Sequence, residues 1–140
     1  MAARQRQTYG EEVANVLTHG AGMLFGMTAI IVLMMAAIRS GNPWAIGSFA
    51  VYAVCMTLSY VTSTFYHAST HARQKRLLRR FDHGAIYLHI AGTYTPFTLL
   101  ALRQEGYWGW SLFAVIWIAA VIGVWLSFRK MRKKDHLKTV

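Results

Sequence analysis

Ser63, His67 and Asp82 are the residues in this chain best suited to chemistry. Ser63 and His67 are four apart, which makes them neighbours on one helix face. Asp82 stands across a basic stretch, where the next apolar run begins. An imidazole can bind a metal or move a proton, a carboxylate can accept one, and a hydroxyl can steady a developing oxyanion. His19 is a reserve candidate, lying near the start of the first apolar run behind Glu11 and Glu12.

The elements that must position these groups follow from composition. Hydrophobic residues make up 55% of the 140, and mean hydropathy is +0.31. Charges are confined to short stretches between four apolar runs, each about the 20 residues that an α-helix needs to cross a bilayer. The pattern predicts an all-α, polytopic membrane helix bundle, a single domain over 1–140. Its helices are expected at about 16–38, 44–66, 81–102 and 108–128, with a basic loop at 68–80 and a basic tail at 129–140. No apolar h-region precedes Val16, so no cleavable signal peptide is expected.

The net charge of +10 does not point to nucleic acid. The basic residues cluster at the ends of apolar runs, as in cytoplasmic loops facing anionic lipid, rather than interleaving with aromatics on a soluble face. Membrane lipids are the partners this distribution implies. The single cysteine, Cys55, lies within an apolar run, so neither an internal disulfide nor a C-x-x-C motif is possible.

Along the first span, Gly22 and Gly26 form a G-x-x-x-G spacing with Ala14 and Thr18 in the same groove, which suits close packing within the bundle. The second span carries Cys55, Ser59, Ser63 and His67 as a polar stripe that must avoid lipid. In the third, Asp82, His89 and Thr93 share a face. Asp82 at a first helical turn would suit the positive end of the helix dipole or cap the helix beside Arg79 or Arg80. Pro96, flanked by Gly92, Thr93 and Thr95, predicts a kink with hydroxyls meeting freed backbone groups. Trp44, Tyr107, Trp108 and Trp110 suit the headgroup belt.

Three stretches then carry a resemblance: EEVANVLTHGAG from Glu11 to Gly22, STFYH from Ser63 to His67, and FDHGAIYLHIAGTYTP from Phe81 to Pro96. In order and spacing they resemble the hemolysin III family, the bacterial branch of the progestin and adipoQ receptor superfamily, with alkaline ceramidases as more distant relations. The resemblance runs from Glu11 to Phe128. It implies a zinc site at the cytoplasmic ends of the helices, with His67 as ligand, Ser63 beside it, and Asp82 acting through water as ligand, base or orienter. It also implies a role in membrane lipid or membrane-energy homeostasis, with a metal-dependent lipid amide or ester hydrolase, or an oligomeric pore-forming cytolysin, as alternatives. The departure is that the family has seven helices and a last-helix histidine pair. This chain carries the first four, and His136 stands alone in the tail. A fragment, a truncated product, a homo-oligomer, or helices supplied by another chain are the expectations that follow, and an incomplete zinc site with them.

Thirteen of the fifteen lysines and arginines fall in the N-terminus, the second loop and the tail; Arg39 and Arg103 are the exceptions. The positive-inside rule then places both termini in the cytoplasm of a cell membrane, the bacterial inner membrane by the resemblance. Single cysteines introduced in the Arg39–Pro43 turn and in the Ala68–Arg80 stretch, on a Cys55→Ala background, should react from opposite sides of sealed vesicles. Reaction from the same side would contradict this topology.

Overall fold

The computed structural model describes residues 8–136, with side chains through Arg129; residues 1–7 and 137–140 and the side chain of His136 lie outside the described residues. Four helices follow in order: α1 (Tyr9–Ser40), α2 (Pro43–Ala68), α3 (Ala72–Pro96) and α4 (Trp108–His136), with a π-helical turn (Phe97–Ala101) continuing α3. The architecture is the all-α membrane helix bundle that the hydropathy pattern predicts. Three of the helices, Tyr9–Ser40, Pro43–Ala68 and Trp108–Arg129, are long and apolar enough to cross a membrane.

α3 falls outside that group because its first turns carry Arg73, Lys75, Arg76, Arg79 and Arg80. It nevertheless runs the length of the bundle. At one end, the Trp44 ring at the start of α2 meets Trp110 at the start of α4, with centroids 5.8 Å apart. The Arg103 guanidinium, just after the π-turn, lies 4.3 Å over the same Trp44 ring. Towards the other end, Phe81 meets Phe128 edge to face at 5.4 Å. Since α2 and α4 both begin at one end, α3 must carry the chain back between them.

The helices are longer than the apolar runs. The 68–80 stretch is mostly helix rather than loop: only Ser69, Thr70 and His71 separate α2 from α3. α4 likewise continues past Arg129 to His136 instead of ending in an irregular tail. Arginine, lysine, leucine, glutamine and methionine are strong helix formers, so where hydropathy falls the helix need not end. Consequently Asp82 is not in a first turn. The N-cap of α3 is His71, eleven residues earlier, and Asp82 sits mid-helix, neither capping nor facing the helix N-terminus. At the chain's start, Thr8 and Glu11 form a reciprocal capping box, which begins α1 seven residues before Val16.

Packing follows chain order, α1 against α2, α2 against α3 and α3 against α4. Small residues make the contacts close. A Cβ on Gly22 would stand 2.7 Å from the Tyr60 ring, and one on Gly26 would collide with the Met56 side chain. Gly92 meets Cys55 in the same way, and Gly123 meets Tyr87. The buried core is correspondingly small-residued: Ala37, Ala45, Cys55, Met56, Ala85, Ala91 and Ala120. Large apolar side chains such as Phe25, Ile31, Val54, Ile118 and Val121 face outward, the inverse of a water-soluble domain. Thr18, Thr28 and Thr62 donate to carbonyls one turn back in their own helices, so these hydroxyls need no distant partner.

Pro96 cannot donate to Gly92, and the backbone widens into the π-turn just after it. Hydroxyls are active there: Thr95 donates to Ala91, Thr98 to Tyr94 and Thr95, and the Trp117 indole N–H donates to Thr95 Oγ1 at 3.1 Å. Gly26→Leu should destabilise the bundle by about 1–3 kcal/mol, as overpacking does, while Ile30→Leu should cost less than about 1.5. Unfolding in mixed micelles measures the difference; equal stability would contradict the Gly22–Gly26 groove.

Candidate functional site

The capping box fixes where α1 begins and therefore which residues share its faces. Glu12, Asn15 and His19 fall at i, i+3 and i+7, one stripe along the helix. That stripe meets the last turn of α2 and the first turn of α3, which the three-residue connection keeps side by side. Ser69 N–H donates to Phe65 C=O at 3.0 Å and Lys75 N–H to His71 C=O at 2.9 Å, closing the two helix ends around it.

At this junction the Glu12 carboxylate is shared. Its Oε2 lies 2.7 Å from His67 Nδ1, and its Oε1 accepts from Lys75 Nζ at 2.5 Å. The side chains of His67 and Glu12 are only 10% and 18% exposed. Burial works against a charge on Glu12, and the bonds from Lys75 and His67 offset that cost. Lys75 Nζ also sits 5.3 Å over the Tyr66 ring, whose centroid is 4.7 Å from that of His67. The Asn15 amide stands 3.4 Å from the same His67 Nδ1.

From His67 a line of rings runs into the bundle. His67 is 5.7 Å from His19, His19 is 6.2 Å from Tyr60, Tyr60 is 6.0 Å from His89, and His89 is 6.5 Å from Tyr52. These half-buried rings come from α1, α2 and α3, and they set polar edges along the helix contacts instead of among the outward apolar side chains.

The structure thus brings His67 and His19 together, at the depth expected of the reserve residue. Ser63 is buried, 4% exposed, one turn before His67 in α2. Asp82 is largely covered and faces His83, with Asp82 Oδ2 3.5 Å from His83 Nδ1. Among the described residues no hydrogen bond or ion pair joins Asp82 to His67; the carboxylate at His67 belongs to Glu12. Sequence reasoning placed Glu12 only as a neighbour of His19. Its signal was there, in the T-x-x-E capping box from Thr8 and the Glu12, Asn15, His19 spacing. Lys75 had none, being one of five bases between Arg73 and Arg80.

The zinc implied by the resemblance can be tested against these residues. A zinc site takes three protein ligands even when catalytic. Among the described residues no three His, Cys, Asp or Glu side chains gather closely enough to hold a metal ion. His67 has one ring nitrogen engaged by Glu12 and offers only Nε2. The described side chains of this chain do not make a zinc site by themselves.

Comparison with known proteins agrees with the motifs. A family model described as Haemolysin-III related matches residues 7–140. Hemolysin-3 of Bacillus cereus is 45% identical over 121 residues, covering 86% of this chain and 54% of that protein. A Hemolysin-3 homolog of Bacillus subtilis (strain 168) is 43% identical over 117 residues, covering 84% and 54%. The chain therefore spans about half the length of the curated relatives it matches. No solved structure matches it. With its three motifs in order and a family match over nearly its whole length, the chain belongs to the haemolysin III-related family.

Proposed function

We propose that this chain is a multi-pass cell-membrane protein that senses or maintains the lipid or energy state of its membrane. The observation that carries the reading is the polar line from the Lys75–Glu12–His67 cluster to Tyr52, running along the helix contacts of an otherwise apolar bundle. Polar and ionisable side chains within membrane helices are costly and mark working positions. A row of imidazole and phenol edges ending in a charged cluster suits recognition of a polar headgroup or response to local charge. The basic clusters support an orientation with both termini cytoplasmic, and membrane lipids as partners. A homo-oligomer, or helices from another chain, would supply cover for the polar line; either would also be the source of further zinc donors beside His67 and Asp82.

A metal-dependent lipid hydrolase is the second reading. One observation favours it: a carboxylate grips His67 Nδ1, which is how working histidines are oriented. Proteoliposomes decide between them. On the first reading, the wild-type chain shifts lipid order, read by an order-sensitive dye, and His67→Ala abolishes the shift with no fatty acid released from labelled lipid. Release that depends on His67 would favour the hydrolase. Leakage of an entrapped dye would favour the pore reading suggested by the relatives' name, and no effect of the wild type on any readout would contradict all three.

A further inference from the structure

We infer that Glu12 is a positioning residue that sets the tautomer of His67, with Lys75 holding Glu12 in place for the task. The inference rests on the reading of His67 as a working residue and deepens it.

Two groups compete for His67 Nδ1. The Glu12 carboxylate, 2.7 Å away, can only accept. The Asn15 amide, at 3.4 Å, is at the outer limit of a hydrogen bond. A carboxylate oxygen at 2.7 Å from an unprotonated nitrogen would set lone pair against lone pair, so the proton must lie between them, on Nδ1. The shorter, charge-assisted contact outweighs the longer neutral one. In the neutral ring Nε2 is then the bare nitrogen, and His67 presents an acceptor at its far edge. That atom could take a proton or bind an electrophile; the opposite tautomer would offer an N–H there.

Lys75 makes the arrangement specific to a carboxylate. It occupies Oε1, which leaves Oε2 for the ring. A glutamine at position 12 has one carbonyl oxygen for two donors. The ammonium of Lys75 is the stronger claimant, so the amide N–H₂ would turn toward His67 and donate to Nδ1. Glu12→Gln therefore does more than weaken a contact: it inverts the tautomer.

The test is nitrogen NMR of the full chain in bilayers, with ¹⁵N-labelled histidine, at about pH 9, well above the ordinary imidazole value of about 6.5. Loss of a signal pair in His67→Asn assigns the ring. The wild type should show protonated Nδ1 and bare Nε2, in excess by about tenfold or more, and Glu12→Gln should show the reverse. A wild-type ring protonated on Nε2 would overturn the inference, as would a Glu12→Gln ring still protonated on Nδ1. Should Glu12→Gln not assemble, a dipolar correlation between His67 Nδ1 and the Glu12 carboxylate carbon decides in the wild type: its presence supports the inference and its absence overturns it. These readouts need no function. A correct tautomer beside a His67→Ala variant that shifts lipid order as the wild type does would sink the functional reading and leave this one standing.

Discussion

The bundle depends at one end on a single carboxylate. Glu12 is partly buried, its side chain 18% exposed, and a carboxylate drawn partly out of water is costly unless it is paired. It is paired twice, by His67 at the end of α2 and by Lys75 at the start of α3. Among the described residues the backbone of α1 packs against α2 alone, so the Glu12–Lys75 bond is a side-chain bridge that reaches α3 directly. Hydrogen bonds to charged groups contribute about 1.5–3 kcal/mol each, less where solvent reaches them, as it does at Lys75. No other contact described at this end joins three helices.

Lipid gives helices little hydrophobic reason to associate, since the tails are as apolar as the side chains. What holds the remaining length is closeness: Gly22 and Gly26 under Tyr60 and Met56, Gly92 against Cys55, Gly123 against Tyr87. The same closeness sets the line of rings. Tyr60 lies over Gly22 and also lies between His19 and His89, so the small-residue groove and the polar line are one piece of packing. Bulk at Gly22 would displace Tyr60 and interrupt the line at its middle. Structure and candidate function are thus coupled through one tyrosine.

Hydropathy made the four apolar runs and their order legible, because lipid solvation selects long apolar helices whatever their detail. It misplaced helix ends, since hydropathy reports the solvent and helix formation reports backbone preference. The five bases of 73–80 read as a loop and are helical, so Asp82, expected in a first turn, sits mid-helix, and the N-cap is His71. His67, Ser63 and His19 were legible from spacing within single helices. The pairing of Glu12 with His67 and Lys75 was not, because it joins residues more than fifty positions apart. Only the positions of three helix ends decide which of five bases reaches the one carboxylate.

A double-mutant cycle on Glu12→Gln and Lys75→Met tests the central claim most directly, read as unfolding free energy in mixed micelles. If the shared carboxylate ties α1 to α3, the two substitutions should be coupled by about 1–3 kcal/mol, within the range found for contacting charged groups. Effects that add to within about 0.5 kcal/mol, as for independent sites, would contradict it.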